Sequence, residues 1–242
     1  MRALARTSGM GITITTLDEA IGDSDPKIII YSDAGVGKTT MAGTLPGRVL
    51  ILSAEDGLRS LKLFPASERK RISVAEVKDT DDLKDAYSKL QSGAIKYDWV
   101  VVDSISEIAE MMLRDAKKKN KDARQSYTKT EDHVVEMLTD FRGLSCGVLF
   151  IAKEHVIKRQ IGETEVDYYN LFLPGQRLTT NVPHLVDNVW RLIAKGEKRY
   201  IITKADGRSR AKSRDGLDAM IDVSDGLGAV VEMMRAPPDE ET

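Results

Sequence analysis

The sequence predicts an α/β fold, with a mainly parallel sheet flanked by helices and a C-terminal β-rich extension. Three observations carry that expectation. Short continuous apolar runs alternate with stretches of helical apolar spacing, the pattern of strands that crossover helices bury on both faces. A Gly-rich turn joins the first run to a helix, so strand, loop and helix follow in order. After Lys153 the runs become shorter and alternating, which is the texture of hairpins.

Residues 1–26 are polar, with one alternating patch, Ile12-Thr13-Ile14-Thr15-Thr16, that reads as a short strand outside the main pattern and a candidate for oligomerisation. The first buried-type strand is Lys27-Ile28-Ile29-Ile30-Tyr31, and a helix opens near Lys38. Arg48 to Ser53, Asp98 to Asp103 and Gly147 to Ala152 supply three more strands. Between them, Leu83, Ala86, Tyr87 and Leu90 recur at helical spacing, as do Ile105, Ile108, Met111 and Met112, and Val134, Val135, Met137, Leu138 and Phe141. The extension reads as a hairpin across Gly162-Glu163, a short helix near Thr179 to Leu185, and strands at Asn188 to Ile193 and Tyr200 to Lys204. We therefore divide the chain into a segment 1–26, one domain over 27–235, and a frayed acidic tail over 236–242.

Composition narrows the function classes. With 36 Lys and Arg against 38 Asp and Glu the net charge is −2, so any attraction to nucleic acid must be local. A 41% hydrophobic share with 18 glycines is that of a globular chain. Cys146 has no internal disulfide partner and reads as a small buried residue; His133, His155 and His184 lack zinc-ligand spacing. No run approaches the roughly 18 apolar residues of a spanning helix, and Met1 to Met10 lacks a signal-peptide core, which points to an intracellular protein without membrane contact.

The chemistry concentrates at the ends of the predicted strands. Ser32-Asp33-Ala34-Gly35-Val36-Gly37-Lys38-Thr39-Thr40 fits the phosphate-binding loop G-x-x-x-x-G-K-[ST], with Ser32 in place of the first glycine. Such a loop turns backbone N–H groups toward phosphate, its lysine reaches the β- and γ-phosphates, and its threonine, here Thr39, places a hydroxyl on Mg2+. Asp103, closing the third strand, suits an acid that holds Mg2+ through water, or a cap for the helix that follows. Glu55 and Asp56 follow the second strand, where either aligns an attacking water or is simply a solvated turn acid; Glu55 has the better reach. Lys153, Glu154 and His155 end the fourth strand, a place for a γ-phosphate sensor; His155 is the sensor candidate, with packing or capping as the alternative.

Two basic clusters interrupt the neutral balance, one from Arg114 to Arg124 and one from Lys195 to Asp215. They read as solvated surface or as a track for a nucleic-acid strand, with Tyr168, Tyr169 and Phe172 as stacking faces or ordinary edge packing. The stretch Gly207 to Arg214, with Arg208, Arg210, Lys212 and Arg214, reads as flexible and cationic, suited to DNA contact or to insertion into a neighbouring copy's nucleotide site.

With these residues in view, residues 27–216 resemble the RecA-like ATPases, and more closely the short phage-encoded recombination ATPases grouped with single-strand annealing proteins of the Sak type. The likeness rests on Gly35-Val36-Gly37-Lys38-Thr39-Thr40, on Glu55 and Gly57, on Val100-Val101-Val102-Asp103-Ser104, and on Ala152 to His155. It implies a RecA-like P-loop NTPase core and a DNA-stimulated, Mg2+-dependent ATPase with Glu55 as catalytic base. Lys212 and Arg214 would act across a subunit interface, and DNA-contact loops would fall near residues 114–130 and 156–182. The output it implies is strand annealing or exchange on single-stranded DNA, with ATP and Mg2+ as cofactors. Further copies in a ring or filament and a single-strand-binding protein would be the partners, and a host cytoplasm the location. Ile12 to Thr16 would add to a neighbour's sheet edge, a role that deletion of residues 1–20 tests through oligomer size. The rival readings are a small-molecule kinase with Arg208, Arg210 and Arg214 as lid cations, and a nucleotide-gated binding module with little turnover.

Overall fold

The computed structural model describes Thr16, residues 25–55 and residues 57–235. The rest of the candidate strand at Ile12–Thr16, the acid Asp56 and the tail 236–242 lie outside the described residues.

Nine strands form one sheet among the described residues: β1 (Lys27–Ser32), β2 (Val49–Ser53), β3 (Ile72–Glu76), β4 (Trp99–Asp103), β5 (Gly147–Ile161), β6 (Thr164–Phe172), β7 (Asn188–Lys195), β8 (Lys198–Ile202) and β9 (Met220–Asp222). Their order is β3-β2-β4-β5-β1-β7-β8-β9, with β6 paired to β5 outside that path. β1 to β5 and β7 run parallel, while β6, β8 and β9 are antiparallel additions. The helices are α1 (Lys38–Gly43), α2 (Ala66–Arg69), α3 (Thr80–Gln91), α4 (Ile105–Lys119), α5 (Ala123–Arg142), α6 (Gln176–Asn181) and α7 (Gly228–Arg235), with 3-10 turns at Gly57–Leu63 and Val182–His184.

The continuous apolar runs form strands because both faces are covered. Val100, Val102, Val148 and Phe150 face a core shared with Ile108 of α4 and Val134, Leu138 and Phe141 of α5. Ile28, Ile30, Ile51, Trp99, Val101 and Leu149 face the opposite core, closed by Met41 and Ala42 of α1 and by Val230 and Val231 of α7. Side-chain caps fix where helices start: Asp79 accepts from the backbone of Asp81 and Asp82, and Ser104 from that of Glu107.

Three departures from the sequence reading follow from physical causes. The edge strand β3 escapes a search for continuous apolar runs because Ile72-Ser73-Val74-Ala75-Glu76 is half polar and leaves Val74 exposed. The β-rich extension joins the same sheet as expected of an extension, β7 pairing parallel with β1 and carrying the main sheet onward. The stretch Gly207–Arg214 is not a free flexible loop: Ser209 bridges to Tyr169 and is fully buried, and Lys212 bridges to Val189. β5 also runs well past Ala152 into the predicted hairpin, in register with β6 from Lys153↔Phe172 to Ile161↔Thr164.

Candidate nucleotide site

The register brings the functional ends of β1, β2 and β4 to one edge, beside the middle of β5. Ser32 lies opposite Lys153, and Asp103 opposite both Ser53 and Ile151, so β5 separates the phosphate-loop strand from the Asp103 strand. A cleft of about 550 Å3 opens there, lined by the loop residues Ser32 to Gly35 and Gly37 to Thr40 and by Glu55, Gly57, Ser60, Asp103, Lys153 and Glu154.

In the loop, Gly35 and Gly37 have φ of +76° and +106°. A Cβ on Gly35 would meet nothing within 4 Å, so backbone conformation rather than space calls for glycine there. Ser32 needs no such freedom: it is the buried last residue of β1, and its hydroxyl accepts from Lys38 Nζ at 3.2 Å. Lys38 Nζ also donates to the carbonyls of Ser32 and Asp33, at 2.9 and 3.1 Å. Burial holds the Lys38 ammonium below its usual pKa, opposed by Glu55, Asp103, Asp33 and Glu154. Arg199 of β8 adds a contact that the sequence did not single out, donating from Nε to the Val36 carbonyl at 3.0 Å.

Thr39 Oγ1 donates to Asp103 Oδ2 at 2.7 Å. Asp103 is buried, and burial pushes its carboxyl above the ordinary aspartate range despite that hydrogen bond. A buried carboxylate beside a hydroxyl is the hard-oxygen donor pair that suits Mg2+. Among the described residues no three His, Cys, Asp or Glu side chains gather as a metal cage, so Thr39 and Asp103 fit an ion completed by phosphate oxygens and water. The helix cap at this point is Ser104 rather than Asp103.

Glu55 is tied to the same strand end. Ser104 Oγ donates to Glu55 Oε1 at 2.5 Å, which leaves Oε2 for another partner, and the Ala54 backbone donates to the Asp103 carbonyl at 2.7 Å. Ser104 therefore orients the glutamate while capping α4. The signal for it was its place directly after Asp103, to which the sequence reading attached no role.

Midway along β5 the cleft meets Lys153 and Glu154, whereas His155 is exposed, outside the lining residues and tilted on Phe172 with ring centroids 6.1 Å apart. Lys153 Nζ donates to Glu107 Oε2 and Glu110 Oε2 of α4 at 2.8 and 3.1 Å. Glu107 also holds Arg114 at 3.3 Å, so one ion-pair chain links the cleft to the first basic cluster. Glu154 receives Arg191 Nε at 2.7 Å, a pair with side chains only 7% and 15% exposed.

The remaining candidates sit apart from the cleft. Lys212 Nζ donates to the carbonyls of Pro183 and Val186, Arg214 pairs with Asp187 at 3.1 Å, and Arg210 donates to the Thr180 carbonyl. The exposed Arg208 has no side-chain partner among the described residues. The predicted stacking rings are already covered: Arg159 lies 4.3 Å over Tyr168, Arg191 3.4 Å over Tyr169, and His155 packs on Phe172.

A mostly parallel sheet with a phosphate loop after β1 and a buried acid at the end of β4 defines a P-loop NTPase. The chain belongs to the AAA domain family, whose domain matches residues 24–214 and thereby covers every cleft-lining residue. A domain of this type binds and hydrolyses nucleotide, generally with Mg2+. No curated protein is similar enough to the chain to count as a match. Among the described residues no helix is long and apolar enough to cross a membrane.

Proposed function

We propose that this chain is a Mg2+-dependent ATPase that binds single-stranded DNA, assembles on it as a ring or filament, and promotes strand annealing or exchange. The observation that carries the catalytic part is the convergence of the phosphate loop, the Thr39–Asp103 pair and the Ser104-held Glu55 on one cleft. Lys38 reaches the β- and γ-phosphates there, Thr39 and Asp103 hold Mg2+, and Glu55 orients the attacking water. Mg2+ held by Thr39 and Asp103 would supply charge neutralisation to the phosphates.

Two further features support the DNA part. The β5–β6 hairpin exposes Val156, Ile157 and Ile161, an apolar ribbon suited to contact with bases, while its Lys158 pairs with Asp167 and its Arg159 lies over Tyr168. The chain Lys153–Glu107–Arg114 gives the cleft a connection to the basic end of α4. Lys153 thus replaces His155 as our sensor candidate, because a γ-phosphate would compete with Glu107 and Glu110 for the same ammonium.

Assembly is supported by what the cleft lacks. Among the described residues no arginine lines it, and its acids Asp33, Glu55, Asp103 and Glu154 outnumber Lys38 and Lys153. A transition-state cation from a neighbouring copy would correct that balance, a contribution on the order of 10^3 to 10^5 in rate. Arg208 is better placed for this than Lys212 or Arg214, both of which have partners within the chain.

Complementation tests the proposal. Glu55→Gln should bind ATP and lose turnover, and Arg208→Ala should lose turnover while keeping its own Glu55. Mixed together with single-stranded DNA, the two inactive chains should recover activity, because a neighbour's Arg208 would then face an intact Glu55. No recovery on mixing, or full turnover in either variant alone, removes the corresponding assignment.

A further inference from the structure

A second charged cleft opens at the opposite end of the sheet. It has a volume of about 300 Å3 and is lined by Arg48, Lys70, Arg71, Ser73, Ile95, Lys96 and Tyr97. These residues flank the starts of β2, β3 and β4, whereas the nucleotide cleft gathers the ends of β1, β2 and β4 beside the middle of β5. Arg71 is committed, donating to Glu68 and to the carbonyls of Gly43, Leu45 and Gly47. Arg48 has a loose contact with Asp98 at 3.9 Å, both side chains being more than half exposed, and its guanidinium lies 5.9 Å over the Tyr97 ring. Among the described residues Lys70 and Lys96 have no acidic partner, so the cleft keeps a positive surplus that solvent alone satisfies.

The described chain ends next to this edge. Arg235, the last residue of α7, pairs with Asp25 just ahead of β1. From there a continuous path of contacts follows the strand starts. Lys27 Nζ donates to the carbonyls of Asp25 and Cys146, the backbone of Gly147 donates to Asp98, and Asp98 Oδ2 accepts from the backbone of Arg48 at 2.6 Å. β1 and β3, the strand that Lys70 precedes, are four strand positions apart, about 19 Å at the usual spacing of roughly 4.8 Å. Residues 236–242 carry Asp239, Glu240 and Glu241 and no cation. Six residues span up to about 20 Å, so Glu241 can reach Lys70 and Lys96 from Arg235.

We infer that the cleft at the starts of β2, β3 and β4 binds acidic peptide, and that its resident ligand is the Asp239-Glu240-Glu241 segment of the same chain. Charge complementarity and reach select that occupant. The contact stands independently of the nucleotide reading, and it makes the cleft available to another acidic segment only by displacement of the tail.

Zero-length carbodiimide cross-linking of the full chain, followed by peptide mapping, tests the assignment. A mixture of isotopically light and heavy chains separates links within one copy from links between copies. The expected result is links from Asp239, Glu240 or Glu241 to Lys70 or Lys96 within single copies, with a yield that falls several-fold at high salt as screening weakens exposed charge pairs. As an independent readout, Lys70→Gln with Lys96→Gln should speed removal of the tail by a carboxypeptidase several-fold while leaving ATP binding unchanged. Tail links spread over other lysines, links only between copies, or a tail equally protected in the double variant would overturn the inference.

Discussion

Asp103 and Lys38 show what a phosphate site costs before its ligand arrives. Each is a charged group withdrawn from water, and burial moves each toward its neutral form: the aspartate pKa upward, the lysine pKa downward. For an acid whose folded pKa lies above its unfolded value, the folded state holds the proton more tightly. Stability therefore falls as pH rises through the folded value, and ionised Asp103 is a burden at neutral pH. Asp103→Asn keeps an oxygen to accept from Thr39 and removes that charge. The variant should melt a few degrees higher than the parent without nucleotide, and should bind Mg2+ with ATP at least about tenfold more weakly. Thermal melting with and without Mg2+ and ATP checks both halves, and a lower melting point in the unliganded variant would contradict the burial argument. Mg2+ binding itself needs the ionised carboxylate, so it should weaken as pH falls through a pKa above the usual aspartate value of 3.8.

At the scale of the element, β5 does most to set the site. Its first half is an interior strand between β1 and β4, and its second half pairs with β6 alone. The interior half tolerates no added bulk: a Cβ on Gly147 would sit 2.6 Å from Cδ2 of the fully buried Trp99. Gly147→Ala should cost about 1–3 kcal/mol in chemical denaturation while leaving the affinity for ATP unchanged, and an unaltered denaturation midpoint would show that Trp99 yields freely. The outer half can be altered separately. Replacing residues 158–167 with a short turn, which spares Tyr169 and its bonds to the 207–214 stretch, should leave ATP binding intact and weaken binding of labelled single-stranded DNA at least about tenfold, through lost base contacts. Undiminished DNA affinity would take the hairpin out of the interface.

The strands β1, β2 and β4 and the interior half of β5 were legible in the sequence because burial on both faces writes itself as an uninterrupted apolar run. The phosphate loop was legible because only glycine accommodates its positive φ. The hairpin turn at Gly162-Glu163 was legible for the same reason, Gly162 having φ of +60°. What stayed hidden depends on partners distant in sequence. His155 was placed at a strand end, but β5 continues, and residue 155 lies about 6.6 Å further along the strand than Lys153. Lys212 read as a cation free to act on DNA or across an interface until the fold supplied its ammonium with the carbonyls of Pro183, in the 3-10 turn, and Val186, just after it. Ser104 and Arg199 carry no motif of their own and gain their places only when β2 meets β4 and β8 folds over the loop.

Taken as a whole, the molecule is close to neutral, with a net charge of −2, so an attraction to DNA phosphates would have to come from the basic end of α4 rather than from an overall field. Its nucleotide cleft carries more acid than base, which fits a site completed by Mg2+ and by a neighbour's cation. DNA that gathers copies side by side would then raise turnover by completing those sites, and salt would oppose it by restoring counterions to the phosphates. The most direct measurement is steady-state ATP hydrolysis by the full chain with and without single-stranded DNA, at low and high salt. The account predicts a slow basal rate, marked stimulation by DNA, and loss of that stimulation at high salt. A rate indifferent to DNA at both salt concentrations would contradict it, leaving a nucleotide-binding domain whose basic surfaces serve another end.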